Sequence, residues 1–310
     1  MIKQIGGNLF LRAMVVSTLA LLVFMAIAQG SGKQQANIDP EPLIKKLNTL
    51  LSNDKYEAAI PLADSVAAIF EANAEVLDWY KNITKNHKIN IYSFVEPKFS
   101  YANACNFGAQ KAKGEYLVML NNDTEVITPN WLELMLGDAQ RNEVGAVGAR
   151  LYFPGNALLQ HAGVGVGLGG YAANLLGRVA IKYFNATQKI YAGNKRNVAA
   201  NTAACIMIKS SIFKQLKGFD ADFTVTYNDV DLGLRLLKYG YVNVYNPAVE
   251  LTHHESISLG LPEHSKRDSV EFEKAKQLLK KRWHNYIQQD PYYNTNFSRG
   301  HADFTLEHNE

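Results

Sequence analysis

Cysteine is scarce: the 310 residues hold two, Cys105 and Cys205. Two cysteines this far apart make neither a disulfide framework nor a zinc site. Each lies in an apolar or tightly packed context, so both read as buried reduced thiols, in keeping with a reducing compartment. Charge of one sign is scarce too. The formal net charge is +3, and no basic stripe interleaves with aromatics, which excludes nucleic acid as a partner. A Gly-rich stretch, Ala162 to Gly170, lacks the strand–GxGxxG–helix context of a dinucleotide site; it reads as a mobile loop. Apolar side chains are plentiful, at 47% hydrophobic against 20% charged, which suffices for a real core. The length suggests about two domains of roughly 150 residues each.

The longest apolar run, Ala13 to Ala28, follows Lys3 and Arg12 and ends in the small-x-small form Ala26-Ile27-Ala28. Signal peptidase accepts that form. Counted from Asn8, the run reaches about 20 residues, enough to cross a bilayer if Arg12 snorkels. Residues 1–28 are therefore expected to be a signal peptide or a single membrane anchor. Residues 29–42, with Gly, Ser, Gln, Asn and Pro, read as a linker. From Leu43, apolar residues recur at helical spacing, first through Leu51 and again from Ala58 to Phe70. Residues 43–87 thus form a small helical region, resembling one tetratricopeptide unit and suited to docking a protein partner.

Beyond it the pattern becomes α/β. Lys88 to Val95 alternates like a strand. Asn106-Phe107-Gly108 precedes an Ala-rich turn of helix. Glu115 to Leu120 is a short apolar strand of the buried parallel type, running directly into Asn121-Asn122-Asp123-Thr124-Glu125. An acidic residue at the C-terminal end of a buried strand sits where open α/β sheets bind ligands. Pro129 precedes a helix starting near Trp131. Val144 to Leu151, Ala199 to Ile208 and Tyr241 to Tyr245 are further strands, the last followed by Pro247. Asp231 and Arg235, spaced i and i+4 on a helix, read as a structural pair.

The ordered set is specific where its members are not. LNNDTE, Trp131-Leu132, VGAVGARL followed by Gln160-His161-Ala162-Gly163, Gly218-Phe219-Asp220, Asn228-Asp229-Val230-Asp231, His253-His254-Glu255-Ser256, and the tail Arg282-Trp283 with Asp290 to Asn294 occur in that order. The set resembles bacterial family-2 glycosyltransferases of the rhamnosyl- and O-antigen-transferring kind. The resemblance implies a GT-A fold over residues 88–298: a mixed, mostly parallel sheet flanked by helices, with 299–310 as a tail. It implies inverting transfer from a nucleotide-sugar donor (UDP- or dTDP-linked) to a cell-surface polysaccharide or a lipid-linked glycan acceptor, assisted by Mg2+ or Mn2+. By position it makes Asp123 and His253 metal ligands, with His254 the adjacent alternative. Asn106, Gly108, Asn122 and Asp123 fall on the donor side. Asp229 falls on the general base, and Asn228 and Trp131 on the acceptor side, although Trp131 suits a core position equally.

Two departures matter. The family's Asp-x-Asp-like element is Asn121-Asn122-Asp123 here, leaving one carboxylate to carry the metal. Relatives also open with a strand–helix–strand unit that holds base and ribose, and nothing ahead of Lys88 matches it, so the domain reads as N-terminally incomplete. The competing expectation is a degenerate, non-catalytic relative that binds glycans or scaffolds an assembly. Survival of Asp123 and Asp229 favours the enzyme. Nucleotide sugars are cytoplasmic in bacteria, so an anchor should leave the catalytic part on the cytoplasmic side, whereas a cleaved signal peptide would mean export.

Overall fold

The computed structural model describes residues 14–17, 100–121, 123–224, 226–254 and 270–307. The expected linker, the 43–87 helical region and the Lys88–Val95 strand lie outside the described residues, as does most of the apolar run. In chain order the elements are β1 (Met14–Ser17), α1 (Tyr101–Lys111), β2 (Tyr116–Leu120), β3 (Thr124–Val126), α2 (Trp131–Ala139), β4 (Val144–Tyr152), β5 (Leu159–His161), β6 (Val164–Val166), β7 (Ala172–Asn174), α3 (Ala186–Gly193), β8 (Arg196–Val198), β9 (Cys205–Lys209), α4 (Ser210–Gln215), α5 (Asn228–Lys238), β10 (Val242–His253), α6 (Val270–Arg282) and α7 (His284–Gln288).

One sheet organises them, in the order β1-β2-β9-β4-β10-β3, with β5 added to β4 and β8 to β10. It is mixed, as expected, but not mostly parallel. Among the described strands, β1–β2 and β4–β10 run parallel. The pairs β2–β9, β9–β4, β10–β3, β10–β8 and β4–β5 run antiparallel. A strand buried on both faces is apolar whichever way it runs, so direction leaves no trace in the pattern. Met14–Ser17 lie inside the run expected to be a signal peptide or anchor, yet they pair with β2, from Met14 opposite Leu117 to Ser17 opposite Leu120. Among the described residues no helix is long and apolar enough to cross a membrane.

Both faces of the sheet are covered. On one, Leu117, Met119, Ile206 and Ile208 pack against Ala102 and Cys105 of α1, Phe213 of α4 and Leu232 of α5. On the other, Val118, Val147, Leu151 and Met207 pack against Trp131, Met135 and Ala139 of α2. The register keeps each set together, with Leu117 opposite Ile208 and Val118 opposite Met207. Each such fully buried Leu or Ile contributes about 2 kcal/mol. Cys105 and Cys205 are buried and free, as the sequence predicts.

Five local expectations change. Asn106 and Gly108 do not precede a helix but lie within α1, because Ser100 caps it two turns earlier by accepting the Asn103 N–H (3.2 Å). The strand expected over Ala199–Ile208 begins only at Cys205, and residues 201–204 form a loop. The Gly-rich stretch is not a mobile loop. It forms β6 and a 3-10 turn, with Val166 and Leu168 buried. Close approach explains its glycine content: at Gly163 (φ 92°) an added Cβ would lie 2.5 Å from the Val198 side chain. β10 runs on through Pro247, which a register shift between Asn246 and Glu250 accommodates. Packing also continues past Ser298, since buried Phe304 stacks on Tyr191 with ring centres 4.1 Å apart.

α5 lies very close to the sheet layer beneath it. At Gly233 an added Cβ would lie 2.5 Å from the Ala200 Cβ. Asn243, under the helix on β10, donates to Ala199 O and Gly233 O (2.8 and 3.0 Å). These contacts set the height of α5 and hence of Asp229 in its first turn.

Candidate active site

β2 ends at Leu120, and the chain turns through Asn121 into β3, the turn being closed by Thr124 Oγ1 donating to Asn121 O (2.7 Å). β3 lies antiparallel on the end of β10, with Thr124 opposite His253, and the His254 N–H donates to Asp123 O (2.8 Å). Two sequence-predicted residues are thereby brought together: His253 Nε2 lies 3.0 Å from Asp123 Oδ1. The Asn121 amide nitrogen is 3.2 Å from the same Nε2. Asp123 Oδ1 is buried and, among the described residues, has no regular hydrogen-bond partner, although His253 Nε2 is within ion-pair range. Burial raises the Asp123 pKa, but the His253 ring in its protonated form, helped by a backbone hydrogen bond and by His254, outweighs burial and holds it below the ordinary value. His254 instead lies 3.5 Å from Glu125 Oε2, so His253 is the histidine at Asp123.

A second corner forms on the 201–204 loop. Asp229 Oδ2 accepts the Ala203 N–H (3.1 Å) and Oδ1 accepts the Val230 N–H (2.8 Å). Among the described residues no Lys, Arg or His pairs with it. Burial is the largest influence on its carboxyl group and raises the pKa; the Ala203 and Val230 amides and the Thr202 hydroxyl pull it down only in part. The preceding residue, Tyr227, adopts a left-handed backbone (φ 60°) at the N-terminus of α5, unusual for a bulky side chain. Asn228 is 3% exposed and its side-chain Nδ2 has no partner.

Tyr101 joins the two corners. Its hydroxyl donates to Ala203 O (3.1 Å) and lies 3.4 Å from Asn121 Oδ1. Burial above all, with Cys105, Asp229 and Asp123 nearby, raises its pKa well above the usual phenol value, so it stays a donor. The Asn121 N–H also donates to Ala204 O (2.9 Å).

Other predicted residues stand elsewhere. Asn106 is spent on the backbone: its Nδ2 donates to Phe219 O and its Oδ1 accepts the Phe219 N–H, both at 2.8 Å. It braces α1 against the Gly218-Phe219 turn. Gly108 lies in α1, where its carbonyl accepts the Ala112 N–H (3.0 Å). Trp131 is a core residue between α2 and the sheet, not an acceptor platform. Asn122 lies outside the described residues. Sequence reasoning assigned no role to Tyr101, the Ala203 amide or Gln160; Gln160 stood in a quoted motif, and the other two carried no signal. Gln160 is buried, and both ends of its amide engage His253.

A divalent cation fits the first corner. The unpartnered Asp123 oxygen and the imidazole nitrogen are 3.0 Å apart. Adjacent ligands of an octahedral ion with bonds of about 2.1 Å are separated by about 3 Å. Among the described residues no cluster of three His, Cys, Asp or Glu is present, so the remaining positions would fall to substrate oxygens and water, as hard cations prefer.

Residues 71–217 match the family model described as Glycosyl transferase family 2, starting upstream of the expected boundary at Lys88. The chain is 36% identical over 235 residues to "Uncharacterized protein y4gI" of Sinorhizobium fredii, covering 75% of this chain and 25% of that one. It is 42% identical over 160 residues to the O-antigen biosynthesis protein RfbC of Myxococcus xanthus, covering 52% of this chain and 12% of that one. The chain therefore spans a quarter or less of the length of these relatives. In structure it resembles GalNAc-T7 solved with UDP, GalNAc and Mn2+, with a TM-score of 0.53 and 15% identity, covering 70% of this chain and 41% of that one. At that identity the likeness speaks for the fold, a GT-A-type α/β architecture.

Proposed function

We propose that this chain, whose residues 71–217 match the Glycosyl transferase family 2 model, is an inverting glycosyltransferase. It moves a sugar from a UDP- or dTDP-linked donor to a cell-surface polysaccharide or glycolipid acceptor. The observation that carries the reading is the buried, unpartnered Asp123 oxygen facing His253, linked through Tyr101 to the loop that holds Asp229. The O-antigen role printed for the Myxococcus relative supports the acceptor class.

Asp123 and His253 would hold a divalent cation, which supplies Lewis-acid stabilisation of the charge developing on the departing diphosphate. The chain's own residues do the rest. Asp229 accepts the proton of the acceptor hydroxyl as its oxygen bonds to the anomeric carbon. The bond from that carbon to the diphosphate oxygen breaks at the same time, and the nucleoside diphosphate leaves with the electron pair. One displacement inverts the anomeric centre. A base with a raised pKa suits proton transfer near neutral pH, and the Ala203 and Val230 amides keep its oxygens aimed. Asn228, with a buried and unspent N–H, offers a donor to a substrate oxygen beside Asp229.

The test is calorimetric titration of the chain with UDP- and dTDP-sugars, with Mn2+ or with EDTA. Donor heat that appears only with Mn2+, and vanishes in Asp123→Ala, supports the reading. Donor binding indifferent to chelation refutes the metal. Glycan binding without any donor binding would favour a non-catalytic relative.

A further inference from the structure

We propose that Gln160 is the positioning residue that holds the His253 imidazole in the tautomer with Nε2 bare and aimed at Asp123, before any cation arrives. The inference rests on the metal reading above and deepens it.

The argument is one of donors and acceptors. Gln160, in β5, meets His253 twice: its Nε2 donates to His253 O (3.1 Å), and its Oε1 lies 2.6 Å from His253 Nδ1. A backbone carbonyl has no proton to give, so the amide end facing it must be the NH2 group. The other end is then the oxygen, which has no proton either. Nδ1 must therefore carry the hydrogen, and a neutral imidazole protonated at Nδ1 is bare at Nε2. Asn121 supports the same assignment from the other side. Its Nδ2 lies 3.2 Å from Nε2, within reach to donate to a lone pair there. Gln160 thus requires the hydrogen at Nδ1, and Asn121 can use the lone pair this leaves at Nε2; Asp123 Oδ1, 3.0 Å from Nε2, is the contact that Gln160 outweighs in the metal-free chain.

The grip is also mechanical. Gln160 holds the ring and the backbone carbonyl of the same residue, so the ring is fixed relative to its own strand. A flipped ring would present a carbon to the glutamine oxygen and lose the shorter bond. Gln160 is 5% exposed and lies between buried Leu159 and His161. A buried amide without partners would be destabilising, yet this one spends both its ends on a single histidine. Outer-sphere partners of metal-bound histidines act in this way, and losing one weakens metal affinity by about 10–100-fold.

The first measurement needs no substitution. Long-range proton–nitrogen NMR on histidine-labelled, metal-free chain, at about pH 8 and so above the ordinary histidine range, reads the tautomer of His253. Its signals are assigned by their loss in His253→Ala. The Nδ1–H form is expected; an Nε2–H form overturns the proposal. The second is Mn2+ titration followed by the free ion's paramagnetic resonance. Gln160→Leu should lose about 10–100-fold in Mn2+ affinity and show a mixture of tautomers. Gln160→Glu keeps an oxygen at Nδ1 but loses the donor to the His253 carbonyl, so it should keep the Nδ1–H form and recover part of that affinity. Wild-type affinity and an unchanged tautomer in folded Gln160→Leu would overturn the proposal. If that variant fails to fold, the wild-type tautomer and the glutamate variant decide. Absence of Mn2+ binding in the wild type would instead refute the metal reading, leaving the tautomer measurement to judge Gln160 alone.

Discussion

Asp229 and Asp231 stand two residues apart in the first turn of α5, and their surroundings differ in kind. Asp231 is fully buried and saturated. Arg235 Nε donates to its Oδ2 (2.7 Å), while Arg282 and Trp283 Nε1 donate to its Oδ1 (3.0 and 2.9 Å). Arg282 also reaches Asp220 (2.7 Å), so the carboxylate pins α5 to α6, to the start of α7 and to the turn after Phe219. Asp229 accepts backbone N–H groups from its own helix and the 201–204 loop, with the Thr202 hydroxyl beside them, and among the described residues no cation offsets its burial. The first arrangement spends the charge on holding helices together; the second keeps a costly charge in a rigid cradle. Asp123, half-buried and with one oxygen lacking a regular hydrogen bond among the described residues, belongs with Asp229 rather than with Asp231.

The contrast can be broken by exchanging the losses. Asp231→Ala leaves two arginines facing a gap, so it should cost about 3–5 kcal/mol of stability, as expected for a broken buried pair. Urea unfolding would measure this, and a loss below that range would mean that Asp231 is not the pin.

Asp229→Asn should do the reverse. Turnover should fall by about a hundredfold or more for a lost general base, while unfolding free energy stays within about 1 kcal/mol of wild type, roughly one hydrogen bond. The sign of the pH dependence sharpens it. A raised pKa means that the base is protonated, and turnover lost, as pH falls through a midpoint above the ordinary aspartate value of about 3.9. A pH–rate profile without such an acidic limb, or turnover in Asp229→Asn near that of wild type, would remove the assignment.

The smallest expected effect is at the seat both aspartates share. Gly233→Ala would force a methyl group against Ala200 and should cost about 1–3 kcal/mol, the usual range for overpacking. Because α5 carries both carboxylates, turnover should drop along with stability. A loss in stability alone would show that the Asp229 cradle tolerates movement of the helix.

Parts of this were legible in advance. β2 and β4 declared themselves as apolar runs because both faces of the sheet are covered, and Asp123 was conspicuous at the end of one of them. The Asp231–Arg235 pair followed from helical spacing and is present at 2.7 Å. What stayed hidden has one physical cause: its partner is distant in sequence. Gln160 looks like any polar residue in a short strand until His253, 93 positions later, is beside it. Asn106 next to a glycine resembles a turn, but it bonds Phe219, 113 positions on. Trp131 could have faced a sugar or a sheet, and only the packing of α2 chose the sheet. The direction of β9 was unreadable because burial on both faces erases the pattern that would reveal it.

β9 lies between β2 and β4, although it follows both along the chain. During synthesis β2 and β4 therefore emerge with apolar edges that must wait for a later strand, and β10 comes later still. Non-local pairings of this kind are slow to form, and waiting edges invite wrong partners. Asp123 leaves the ribosome long before His253, and it meets that residue only when β10 closes the sheet. The Asp123–His253 corner is thus complete only once β10 has joined the sheet, so a chain that stalls before that step lacks it.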